Sequence, residues 1–186
     1  LPDEALLKEA ARMLAFAQTP MIFVGDGIAF ANAQDELTRV AELLGAEVWE
    51  ADAGELNMSH AHPLYQGSTG HMFGTQSLPI TLKGDVNLVC GTYLLPEVFP
   101  ELGDIFAPNS QTIHIDLDAD AIAKNHPVEL GMLGHPKLSL ATLANILEST
   151  MTTEQKELAD QRIIKLKAEK DSKRCYELER DRTIRD

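Results

Sequence analysis

The stretch Pro20-Met21-Ile22-Phe23-Val24-Gly25-Asp26-Gly27 constrains this chain more than any other. A run of four or five apolar residues is too short for a helix, and unbroken hydrophobicity fits a strand buried on both faces of a parallel sheet. In open α/β folds built on such strands, ligands settle in the crevice beyond the carboxyl ends of the strands. A glycine turn there admits a ligand to the backbone, and the free N–H groups of the next helix favour an anion. Gly25, Asp26 and Gly27 are therefore the first candidate binding residues.

The rest of the chain alternates helical and strand patterns around this run. Leu6, Ala10, Met13 and Ala17 recur at helical spacing behind a cap at Asp3, and the helix stops before Pro20. Ala33, Leu37, Val40, Ala41 and Leu44 form a second stripe closed by Gly45, and Ala46 to Ala51 reads as a strand. Residues 52–74 show no period and carry many Gly and His, the signature of a functional loop. A short helix is expected from Ser77 to Lys83, with Pro79 in its first turn. Strands follow at Asp85–Thr92 and Ile113–Asp116, then a short helix near Ala119–Lys124, a weaker strand at Glu129–Leu133 and a docked helix marked by Leu140, Ala144 and Leu147. Strands alternating with helices imply parallel βαβ units with right-handed crossovers.

Charge divides the chain near Thr150. Residues 1–150 hold 6 Lys or Arg against 20 Asp or Glu, while 151–186 hold 10 against 9. A body of net charge −14 repels a phosphate backbone, so no nucleic acid partner is expected. Beyond Thr152 the sparse apolar residues and pairs such as Glu169 with Lys173 and Asp181 with Arg185 predict an exposed helix that frays on its own. No apolar stretch approaches the ~20 residues of a membrane span, so no membrane association is expected, and cytoplasmic localisation is the default. The start at Leu1, without Met, is read as a domain fragment cut from a longer protein.

The chemistry-bearing residues make weak motifs. His60 and His62 alternate, yet no Cys or ordered carboxylate completes a metal site, and a loop turning at His62-Pro63 is preferred. Gly25-Asp26-Gly27 with Asn57 about thirty residues later resembles the motif with which thiamine-diphosphate-dependent enzymes hold magnesium, but Asn57 does not come straight off an apolar strand. His114, between two Ile, is expected to pack on the opposite sheet face, and Trp49 to join the core. Asp116 suits a ribose contact or a helix cap equally, while Asp118 is read as a cap or an exposed acid. Neither a nucleophile elbow nor a Cys–His pair is present, so no catalytic residue is assigned.

Taken together, several stretches resemble the central domain of thiamine-diphosphate-dependent enzymes, the acetolactate synthase, pyruvate oxidase and benzoylformate decarboxylase superfamily. They are Pro20 to Gly27; Glu36-Leu37 with residues 41–46 and Val48-Trp49; His62-Pro63-Leu64 with Gly67, Gly70 and Gly74; Asp85 to Gly91; and residues 115–118 with Ile122, Lys124-Asn125 and Pro127-Val128. The resemblance implies a Rossmann-like three-layer α/β domain over residues 1–150, with a parallel sheet of five or six strands. Residues 151–186 then become a charged helical linker toward a further cofactor-binding domain.

The parent enzyme is implied to be a 2-oxo-acid decarboxylase or carboligase, a homodimer or homotetramer, holding thiamine diphosphate and magnesium on the domains flanking this one. In members that bind FAD or ADP, the nucleotide touches positions matching Gly25, Asp26, Gly27, Gly70, His71, Gly74, Asp116 and Asp118. A carboxylate at Asp26 departs from that pattern. Two like charges ~4 Å apart at an effective dielectric near 20 repel by about 4 kcal/mol, and no Lys or Arg lies between Arg39 and Lys83. FAD or ADP is therefore not favoured, and an empty or degenerate nucleotide site is expected. The alternative is a stand-alone or regulatory module binding ADP, FAD or NAD.

Overall fold

A computed structural model of the chain describes residues 1–51, 53–70, 77–93 and 104–183. In chain order the elements are α1 (Glu4–Phe16), β1 (Pro20–Val24), α2 (Gly27–Phe30), α3 (Gln34–Leu44), β2 (Glu47–Glu50), β3 (Tyr65–Ser68), α4 (Leu78–Thr81), β4 (Val86–Cys90), β5 (Gln111–Asp116), β6 (Leu130–Leu133), α5 (Pro136–Thr150) and α6 (Thr153–Thr183). The strands form one six-stranded sheet in the order β3-β2-β1-β4-β5-β6. Every pairing is parallel, with Ile22 beside both Val48 and Leu88.

The two-sided burial expected of β1 follows from its alternation. Ile22 and Val24 join the larger core under α1, α3 and α5, while Met21 and Phe23 join a smaller one with Ala51, Val89 and Ile105. Leu78 and Ile80 of α4 and the partly buried Trp49 pack against the smaller core. Asp3 caps α1 by accepting the Ala5 N–H at 2.7 Å. Gly45 closes α3 in the left-handed region at φ 60°.

Three features differ from the sequence reading. The loop after β2 contains β3, an edge strand of sequence Tyr-Gln-Gly-Ser, held to β2 by backbone hydrogen bonds that polar side chains do not announce. Around residues 119–124 there are turns in place of a helix, with Ala123 at φ 58°. The charged tail is a continuous helix, α6, and its first half is docked: Ala159 and Leu166 are buried, and Arg162 donates to the Leu44 and Ala17 carbonyls at 2.8 and 2.7 Å. Its ion pairs also differ, because Glu169 meets Lys165 and Asp181 meets Arg180; Arg185 lies outside the described residues.

Candidate functional site

The sheet order puts β1 between β2 and β4, so the topological switch point and its crevice lie at the tips of β1 and β4. The turns that follow these two strands are packed into one another there. Gly27 donates its N–H to the Gly91 carbonyl at 3.0 Å. A Cβ on Gly27 would stand 2.6 Å from the Gly91 Cα, and one on Gly25 would stand 2.7 Å from the Thr92 Cβ. Gly91 itself has φ +68°. These glycines permit close approach of backbone to backbone, the use that a bound diphosphate would make of them in a nucleotide site.

The donors of the turn are also engaged. The Ile28 N–H reaches the Gly25 carbonyl at 3.0 Å, and the Ala29 N–H reaches Asn57 Oδ1 at 3.1 Å. The Asp26 carboxylate accepts the Gly54 and Glu55 N–H groups, each at 2.9 Å. Beside the turn, a cleft of about 330 Å³ is lined by residues that include Gly27, Gly91, Asp116, Leu117, Asp118 and His135. No Lys or Arg is among the described residues lining it. With the Gly27, Ile28 and Ala29 N–H groups taken and carboxylates in place of cations, these residues do not fit a nucleotide diphosphate.

The structure thus brings Gly27, Asp116 and Asp118 to one cleft, with Gly25 and Asp26 in the turn beside it, and sets Gly70 apart. Asp116 Oδ1 accepts the Asp118 N–H at 2.8 Å, and Asp118 Oδ1 accepts the Asp120 N–H at 2.9 Å. Both acids shape consecutive turns, and the capped helix expected after β5 is replaced by them. Gly70 follows the edge strand β3, its N–H 3.1 Å from Ser68 Oγ. Four inter-strand steps separate β3 from β5, roughly 19 Å, so Gly70 does not share the Asp116 cleft. His71 and Gly74 lie outside the described residues.

A second polar cluster, not foreseen from sequence, sits at the tip of β2. Glu50 is buried, and its carboxylate accepts from Asn57 Nδ2 at 3.3 Å and from the Tyr65 hydroxyl at 2.8 Å. Burial, with the Glu50 hydrogen bond adding, pushes the Tyr65 hydroxyl well above its ordinary value. His60 stacks on Tyr65 with ring centroids 4.3 Å apart. Its neighbour His62 turns to Glu42 at 3.2 Å, so the two imidazoles diverge. Among the described residues no group of three potential metal ligands converges. Asn57 is consumed by Ala29, Glu50 and Glu55, which removes it from the magnesium reading. Burial first, then the Asp116 charge, pushes the Cys90 thiol up and leaves it inert.

Among known proteins, the family described as thiamine pyrophosphate enzyme, central domain, matches residues 7–143. A probable acetolactate synthase large subunit of Methanococcus aeolicus is 33% identical over 157 residues, covering 83% of this chain and 26% of that protein. A sulfoacetaldehyde acetyltransferase of Castellaniella defragrans is 29% identical over 168 residues, covering 89% of this chain and 28% of that protein. The crystal structure of benzoylformate decarboxylase from Polynucleobacter necessarius superposes with a TM-score of 0.68 at 23% identity, over 78% of this chain and 27% of that one, a likeness of fold. The chain therefore spans about a quarter of the length of these relatives.

Proposed function

Because the chain belongs to the thiamine pyrophosphate enzymes as their central domain, we propose that it is the scaffold of a thiamine-diphosphate-dependent 2-oxo-acid decarboxylase or carboligase. The observation that carries this reading is the family match running from α1 into α5, across the whole six-stranded sheet. The alternative, a stand-alone nucleotide-binding module, finds no support in that match or in the crowded glycine turn.

The carbon chemistry is supplied by thiamine diphosphate, which with magnesium would be held by the parent's flanking domains. The groups of this chain suit support in place of catalysis: the Cys90 thiol is buried and protonated, and the acids at the strand tips are engaged in turns. We place the parent in the cytoplasm as a homodimer or homotetramer. None of the described helices is long and apolar enough to cross a membrane.

The test is to supply the 186-residue chain with thiamine diphosphate, magnesium and a panel of 2-oxo acids. No carbon dioxide release and no calorimetric signal for the cofactor are expected. Decarboxylation by this chain alone would overturn the scaffold assignment.

A further inference from the structure

Asp26 occupies the N-cap position of α2 yet makes no capping bond to that helix. Its carboxylate turns toward the segment after β2, where the consecutive N–H groups of Gly54 and Glu55 both donate to Oδ1 at 2.9 Å. Adjacent backbone N–H groups converging on one negatively charged oxygen form an anion-binding nest, and hydrogen bonds to a charged acceptor are about twice as strong as neutral ones. We infer that Asp26 is the resident anion of this strand-tip nest, a tethered carboxylate that clasps the loop after β2 to the turn after β1.

A second fastening runs parallel to the first. Asn57 Oδ1 accepts the Ala29 N–H at 3.1 Å, while its Nδ2 donates to Glu50 Oε1 and to the Glu55 carbonyl at 3.3 and 3.2 Å. The loop is therefore tied to α2 at two points, and the nest is filled before any free anion arrives. A nucleotide diphosphate approaching the tip meets a fixed negative charge, with no Lys or Arg lining the cleft beside it among the described residues. A position that admits a phosphate in a nucleotide site here carries the domain's own carboxylate, and the clasp holds whatever reaction the parent performs.

The inference is tested by Asp26→Ala and Asp26→Asn in the 186-residue chain, with formate and inorganic phosphate as probes at matched ionic strength. Alanine suits the backbone of residue 26, at φ −60° and ψ −17°, so the variant removes the carboxylate without strain. Asp26→Ala is expected to lower Tm by roughly 3–8 °C and to shift the Gly54 and Glu55 amide resonances. Formate should raise the Tm of this variant progressively above a chloride control and return the two amides saturably toward their native positions, while wild type shows neither response. Asp26→Asn, which keeps an acceptor without the charge, should fall between, and it serves alone if Asp26→Ala fails to fold. Unmoved Gly54 and Glu55 amides, a formate effect no different from chloride, or micromolar ADP binding by wild type would each overturn the clasp.

Discussion

Between Ile113 and Ile115 the imidazole of His114 is buried on the second sheet face, its Nε2 2.8 Å from the Thr92 carbonyl and its Nδ1 3.3 Å from the Ala123 N. A carbonyl demands a donor at Nε2 and an N–H demands an acceptor at Nδ1, so both bonds are made only by the neutral ring. Burial lowers its pKa, against smaller opposing effects of the Thr92 hydrogen bond and the Asp116 charge. The unfolded chain then takes up a proton near pH 6.5 while the folded chain does not, so this group's contribution to stability is complete above pH 6.5 and is lost as pH falls below it. A His114→Gln variant is accordingly expected to lose less Tm than wild type between pH 7.5 and 5.5. Parallel Tm curves for the two proteins would refute this assignment. The strand position of His114 was legible from its two Ile neighbours; its ring partners, 22 and 9 residues away, were not.

At the scale of elements, α6 departs most from its composition. The sequence of this helix is charged and nearly free of an apolar stripe, yet it crosses the end of α3 so closely that a Cβ on Gly45 would stand 2.4 Å from the Ala159 carbonyl oxygen. Arg162 donates to the carbonyl of Leu44, the last residue of α3, and to that of Ala17, the residue after α1, satisfying acceptors that helix ends leave open. Farther along, Lys170 donates to the His60, His62 and Tyr65 carbonyls at 2.7, 2.6 and 2.7 Å, which also blunts the exposed edge of β3. Gly45→Ala combines that collision with a left-handed backbone and is expected to cost about 2 kcal/mol or more. Arg162→Met is expected to cost about 2 kcal/mol and to speed amide exchange in α6 ahead of the rest. Denaturant midpoints unchanged in both variants would return α6 to the status of an appended linker. Sequence showed Lys and Arg here as solvated charges, because nothing local marks a cation whose acceptors lie 105 to 145 residues away.

For the whole molecule, a formal charge of −13 concentrated in residues 1–150 makes self-repulsion a standing cost of compactness. Raising sodium chloride from 20 to 200 mM shortens the screening length to under about 10 Å, and wild type is expected to gain about 1 kcal/mol of unfolding free energy. A Tm that falls over that range would mean that ion pairs such as Arg39 with Glu148, at 2.5 Å, outweigh the repulsion. The sequence by itself determined the layered parallel sheet, since the unbroken apolar run at 20–24 and the largely apolar run at 86–90, interrupted only by Asn87, can be buried only with cover on both faces. It also determined the family, through the order and spacing of short stretches along residues 7–143. Only the tertiary structure decided that β3 is a strand, that the glycines following β1 and β4 pack against one another, and that Asp26 and Lys170 close on distant backbone. Apolar burial is summed along the chain and so can be read from it, whereas a hydrogen-bond partner is chosen by geometry that exists only after the chain has folded.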